Sequence, residues 1–265
     1  MPIQSTRWNE IASLEQLLAG EVAVVTGAGR GNGAAIAAGL AQAGAMVCVC
    51  DIDGTSASAT ADAIAAAGGH AFPVTWDIAN PEQAEIAIEA IRSVVPRVSI
   101  LVNNAGVEAG GNIGDPTYLT SWRNVMNVNL SGTVHVIQAL VADLRESRGN
   151  IVNIASMMAQ LAYQPGASAY AASKAAIAQL TRSLAIELAP DGVRVNAILP
   201  GFMDTAMTAA TQADAQRMDY FLCRTPMKRM GQADELIGPV LFLASRMSSY
   251  VTGAALPVDG GLMAN

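Results

Sequence analysis

Short apolar, β-rich runs alternate with longer Ala-rich runs almost from end to end of the chain, and that alternation leaves few folds open. The strand candidates are 22–26, 46–51, 71–75, 99–103, 150–155, 193–198 and 254–258. Strands separated by helix-length segments pair in parallel, with crossover helices covering both faces of one sheet. Val22 to Val25 and Met46 to Cys50 are apolar at successive positions, so both of their faces need cover and they belong mid-sheet. Asn80-Pro81-Glu82-Gln83 reads as a helix start with an N-cap Asn, Pro at the first position and a Gln able to close a capping box. Pro190-Asp191-Gly192 reads as the stop of a long helix over 168–189.

A chain of 265 residues, 52% hydrophobic and 14% charged, can bury about three quarters of its unfolded surface in one core. It shows no repeat, no low-complexity linker and no second domain. Residues 21–265 read as one unit, preceded by an extension, 1–20, with Trp8, Ile11, Leu14, Leu17 and Leu18 at roughly helical spacing. That extension reads as a packed helix, with an oligomer contact as the alternative. The net charge of −7 and the absence of a Lys/Arg cluster argue against nucleic acid as a partner. No uninterrupted apolar run approaches the length of a membrane span, and Glu10 and Glu15 interrupt the place of a signal peptide, so the expected compartment is the cytoplasm. Cys48 and Cys50 share one strand face and Cys223 stands alone, which reads as thiols rather than ligands or a disulfide. His70 and His135 have no ligand-spaced neighbours, so no metal site is expected.

Two local patterns carry chemistry. Thr26-Gly27-Ala28-Gly29-Arg30-Gly31-Asn32-Gly33 lies between a strand and the Ala-rich run 34–43. There, Gly27, Gly31 and Gly33 allow a tight turn, close approach of backbone N–H groups to a pyrophosphate, and close helix–strand packing. Asp51 ends the next strand about 20 residues on, where a carboxylate can accept both ribose hydroxyls and oppose a 2′-phosphate. Ile52 adds no second cation, which favours NAD. Arg30 keeps NADP open, since a guanidinium in the turn can pair with a 2′-phosphate. The second pattern is Tyr170 and Lys174, four residues apart on one helix face. At ~4 Å and an effective dielectric of ~20, the ammonium would favour phenolate by roughly 4 kcal/mol, drawing the phenol from ~10 towards neutrality, where it serves as a general acid or base.

These residues resemble the short-chain dehydrogenase/reductase family over about Gly20 to Gly261. TGxxxGxG matches 26–33, Asn103-Asn104-Ala105-Gly106 matches the strand-4 signature, and YxxxK matches 170–174. Further matches are Asn129, Ser156, Pro200-Gly201 and Thr205. The resemblance implies a single Rossmann-like domain of seven parallel strands, binding a nicotinamide cofactor at the carboxyl ends of the strands. It implies that Tyr170 exchanges the alcohol proton and Ser156 holds the substrate oxygen. By the same resemblance, Lys174 bonds the nicotinamide ribose and Asn129 fixes a water behind it. Asp77 and Ile78 would touch the adenine, Asn104, Ala105 and Gly106 would line the cofactor, and Met203 with Thr205 would hold the carboxamide. Asn129, Ser156 and Thr205 could instead cap or satisfy local backbone. Two departures stand out. Asn32 replaces an aliphatic residue, and Ser156 to Tyr170 spans one position more than the commonest spacing.

The substrate wall is expected from Met157, Met158 and Tyr163 on one loop and from the segment 202–222 with Met207, and Glu108 and Gln160 are polar candidates beside them. The reaction read from these residues is NAD-dependent interconversion of a secondary alcohol and its ketone. The alternatives are an NADP-dependent ketone or 3-oxoacyl reductase, a polyol or sugar-alcohol dehydrogenase, and a non-catalytic cofactor sensor. The family pattern also implies a homotetramer.

Overall fold

The computed structural model describes residues 16–162 and 164–264. The expected helix around Trp8, Ile11 and Leu14, like Tyr163, lies outside the described residues. Leu17 and Leu18 do pack, with Leu18 N donating to Ala43 O at 2.7 Å and its side chain buried in the core.

Seven strands form one all-parallel sheet in the order β3-β2-β1-β4-β5-β6-β7. They are β1 (Val22–Thr26), β2 (Met46–Asp51), β3 (His70–Thr75), β4 (Ile100–Asn103), β5 (Asn150–Ile154), β6 (Arg194–Pro200) and β7 (Ala255–Val258). Each expected strand is present, shifted by at most two residues at an end. The two-residue period of the strands sorts their side chains into two cores. Ala23, Val25, Val47 and Val49 pack under α1 (Gly31–Gln42) and α2 (Gly54–Ala66). Val24, Cys48 and Cys50 pack on the opposite face with residues of α3 (Ala84–Arg92) and α5 (Thr133–Ser147). Both strand cysteines are buried free thiols, and burial pushes their pKa up.

The start at Asn80 is a 3-10 turn, Pro81–Gln83, before α3 begins. Asn80 caps it through Glu82 N at 3.0 Å, but Gln83 Oε1 accepts from Asp77 N at 2.9 Å. The capping box therefore does not close. Its Gln is drawn to the loop after β3, whose N–H has no strand partner. α4 (Tyr118–Met126), a π-helical turn (Asn127–Gly132) and α5 run on as one helix. By length and composition that helix would pass for a membrane span. Its buried residues, Val136, Leu140 and Leu144 among them, belong instead to the sheet's core.

The helix that carries Tyr170 and Lys174, α6 (Ser168–Leu188), ends as expected, with Gly192 at φ 80° closing the turn after Pro190. A buried polar chain fixes it to the sheet. Asn103 Nδ2 donates to Asn153 Oδ1 at 2.8 Å, Asn153 Nδ2 to Thr181 Oγ1 at 2.9 Å, and Thr181 Oγ1 to Ile177 O at 2.8 Å. Thr181→Val keeps the volume but strands the Asn153 amide in a dry core. It should cost about 1–3 kcal/mol in urea unfolding, whereas an unchanged midpoint would show that this chain does not hold the helix.

Candidate active site

The glycine turn sits at the switch point between β1 and β4, where successive crossovers leave the sheet in opposite directions and a crevice opens at the strand ends. Thr26 and Asn104 build it. Thr26 Oγ1 accepts from Asn104 N at 3.0 Å and from Ala105 N at 3.1 Å, and Asn104 Nδ2 donates to Thr26 O and Gly27 O, both at 2.9 Å. The Asn104 amide is thus committed to shaping the turn. Gly27 adopts φ 61°, and a Cβ there would meet Ala105 Cα at 2.7 Å; a Cβ on Gly33 would overlap the Gly27 carbonyl oxygen. At Gly31 the nearest atom to such a Cβ is Thr205 Cγ2 at 3.8 Å, so this face of the turn is open. A packed floor, an open rim and the N-terminus of α1 fit a dinucleotide diphosphate. Asn32 Oδ1 is buried there without a protein partner.

Asp51 closes the adenosine side. Its Oδ2 accepts from Gly29 N at 2.8 Å and its Oδ1 from Asp53 N at 3.0 Å, leaving further lone pairs on both oxygens. Arg30 is exposed and makes no cap bond to α1. Hydrogen bonds from Ser56 and Thr55 hold the Asp53 carboxyl below its usual range, and the Arg30 charge adds to this. Ile52 is exposed, Asp77 Oδ1 accepts from Ala79 N at 3.0 Å, and Ile78 is buried against Gly132.

Ser156 follows β5 and accepts from Met158 N at 3.1 Å. Its hydroxyl also acts on the half-buried Tyr170 phenol, favouring its ionised form. Lys174 is buried, with Nζ 5.6 Å from the centre of the Tyr170 ring and donating to Ile154 O at 2.8 Å. The expected depression of the phenol is not found. Burial pushes Tyr170 up to about 12, the Glu108 charge adds to that, and the Ser156 bond works against both. The four-residue spacing does put both side chains on one helix face. The strand-end carbonyl, however, draws the ammonium over the ring and away from a direct contact with the hydroxyl. Desolvation brings Lys174 down to about 8.

Asn129 lies in the π turn and acts as a clamp. Its Oδ1 accepts from Val107 N at 2.8 Å, and its Nδ2 donates to Val107 O at 2.9 Å and Ser173 Oγ at 3.0 Å. A Cβ on Gly106 would lie 3.3 Å from Asn129 Oδ1 and 3.4 Å from Lys174 Nζ, so the Asn104-Ala105-Gly106 strand end is what joins the turn to the catalytic helix. Glu108, next to the clamped Val107, is exposed on the rim, yet surrounding chain removes enough water to raise its carboxyl above the usual range. Gln164 Nε2 donates to Glu108 Oε1 at 3.2 Å, whereas Gln160, the expected polar candidate, points to solvent. Only a loop contact could single out Gln164, and its sequence neighbours give no such signal.

Thr205 stands at the start of the turn Ala206–Thr208, its N–H donating to Thr208 Oγ1 at 3.2 Å, and its methyl faces Gly31. Gly201 packs on Asp259, and Met203 is buried beside Gly231. Met157 and Met158 are buried with Ala167 and Leu262 and pack against Tyr170 and Phe202, so they back the pocket wall. Met207 is exposed. Among the described residues no cluster could hold a metal.

A family model described as enoyl-(acyl carrier protein) reductase matches residues 27–263. A galactitol 2-dehydrogenase (L-tagatose-forming) of Cereibacter sphaeroides is 43% identical over 70% of this chain and 73% of its own. Gluconate 5-dehydrogenase of Gluconobacter oxydans is 35% identical over 74% of this chain and 77% of its own. The crystal structure of a gluconate 5-dehydrogenase from Burkholderia cenocepacia in complex with NADP and tartrate superposes with a TM-score of 0.90 at 36% identity, covering 96% of this chain and 100% of that one. The chain belongs to the short-chain dehydrogenase/reductase family and is an NAD(P)-dependent oxidoreductase.

The buried ammonium yields a pH test that needs no substrate. Below pH 8, Lys174 is charged in folded and unfolded chains alike, and its burial costs stability. Between about 8 and the ordinary lysine value the folded chain loses the proton first, so that cost fades as pH rises. Lys174→Met should therefore compare more favourably with wild type at pH 7 than at pH 10, by up to about 3 kcal/mol in urea titrations of the cofactor-free protein. A difference that does not vary with pH would contradict the shift.

Proposed function

We propose that this oxidoreductase interconverts a secondary alcohol and its ketone with NAD, Tyr170 exchanging the hydroxyl proton. The observation that carries this reading is the placing of Lys174 over the Tyr170 ring, one glycine away from the phosphate turn, with the Ser156 hydroxyl favouring the ionised phenol. Nicotinamide, when bound, accepts or returns the hydride. In reduction the neutral phenol is the proton donor, and a phenol pushed up to about 12 stays protonated and ready for that step. In oxidation the ionised form of Tyr170 takes the proton, and Ser156 holds the substrate oxygen against it. Lys174 orients the ribose, and Asn129 keeps the Val107–Glu108 backbone in place.

The relatives are named for a hexitol and for an aldonate, which supports a polyhydroxylated substrate. NAD is favoured by Asp51, which ends β2 and bonds the turn, and by the Arg30 charge acting on Asp53, which leaves that cation less free for a 2′-phosphate. The solved relative with NADP supports the other choice, so cofactor preference is the first assay to run. We assign the enzyme to the cytoplasm, consistent with its free thiols, and to a homotetramer. Exposed Ile186 on α6 and Tyr250 before the edge strand β7 support the tetramer. Ala178 and Ala185 on the same helix are buried in the chain's own core.

Tyr170→Phe should lower turnover by about 100-fold or more and leave cofactor affinity intact; wild-type turnover would dismiss the proton role. NAD should give the higher kcat/KM, and Asp51→Ala with Ile52→Arg should move the preference towards NADP. Equal turnover of the wild type with NADP would show that Arg30 governs the site. Light scattering at micromolar concentration should give four chains, and an active monomer would refute the assembly.

A further inference from the structure

Glu108 is the feature of the site that the proton chemistry does not use, and it is held there deliberately. Both polar groups of the Val107 backbone are clamped by the Asn129 amide, which fixes the chain direction into residue 108. Across the rim, Gln164 Nε2 holds Oε1 at 3.2 Å, and Gly111 N donates to Gly166 O at 3.1 Å, so the two loops that bear Glu108 and Gln164 are tied together. Its charge is felt at the Tyr170 phenol, and desolvation raises its own carboxyl. A carboxylate so placed accepts hydroxyl hydrogens through its remaining lone pairs. Towards a second carboxylate it offers only repulsion, strengthened where water is thinned.

We propose that Glu108 determines specificity, binding hydroxyls that flank the reacting carbinol of a neutral polyol and excluding the corresponding aldonate. The inference rests on the reading of this site as a secondary-alcohol dehydrogenase. It parts company with any enzyme whose pocket must receive an acid. Charge discriminates more sharply than shape between two chains of equal length, because the unfavourable member leaves two anions facing each other in a partly dry site.

Glucitol and gluconate form a matched pair for the test, differing at one end by a hydroxymethyl against a carboxylate. They are assayed with the full-length protein beside galactitol, mannitol and a plain secondary alcohol such as cyclohexanol, with saturating cofactor. Wild type should show kcat/KM at least about tenfold higher for a neutral hexitol than for gluconate. Glu108→Gln keeps the shape and should bring the two within about threefold, and Glu108→Lys should invert the order, with cofactor affinity and thermal midpoint unchanged in both. Preference of wild type for gluconate, or a ratio untouched by Glu108→Gln, overturns the role of Glu108 while the dehydrogenase reading stands. Turnover of cyclohexanol without any hexitol does the same. Failure to oxidise any alcohol with either cofactor overturns both.

Discussion

Four hydrogen bonds, three to Thr26 and one to Gly27, from the Asn104–Ala105 backbone and the Asn104 amide hold the end of β1 against the end of β4, and the working part of the molecule depends on that junction. It lies where the crossovers diverge, so the crevice is an outcome of topology. The junction determines how that crevice is floored. Once the turn is pinned, Gly33 can close under Gly27, Gly31 faces outward, and Gly106 is left as the thin spacer between the turn and Lys174. The glycine turn and the Tyr170–Lys174 pair become neighbours because two strand ends are bonded side chain to backbone across the sheet.

The catalytic helix is positioned from beneath by comparable means. Asn103, Asn153 and Thr181 carry a polar thread through an otherwise apolar interior, and Lys174 reaches back to the carbonyl that ends β5. Buried polar groups of this kind cost desolvation and return orientation, since each has few partners that satisfy it. The ammonium is the clearest case. Burial lowers its proton affinity, yet the Ile154 carbonyl keeps it over the Tyr170 ring.

Around Tyr170 the local field comes from several directions. Burial and Glu108 oppose ionisation of the phenol, and the Ser156 hydroxyl favours it. A carboxylate on the rim therefore bears on how readily the phenol gives up its proton. The π turn at Asn129 links rim and phenol, because the same amide that clamps the Val107 backbone also bonds Ser173 on the catalytic helix.

Sequence alone determined the seven strands, the parallel class, the position of the glycine turn and the identity of the Tyr–Lys pair, since these rest on periodicity, local turn chemistry and helical spacing, all of which are properties of contiguous residues. It also led to Asp51 through its place at the end of the next strand, and to Ser156 and Asn129 through a family pattern. What it did not determine was where each polar head would point. Gln83 turned to Asp77 instead of its own cap, Lys174 settled on Ile154 instead of the phenol oxygen, and Gln164 took Glu108. A polar group in a folded chain goes to the unsatisfied partner nearest in space, and which partner that is follows from strands and loops brought together across long separations in sequence. Tertiary structure decided those pairings and, with them, the electrostatics of the site.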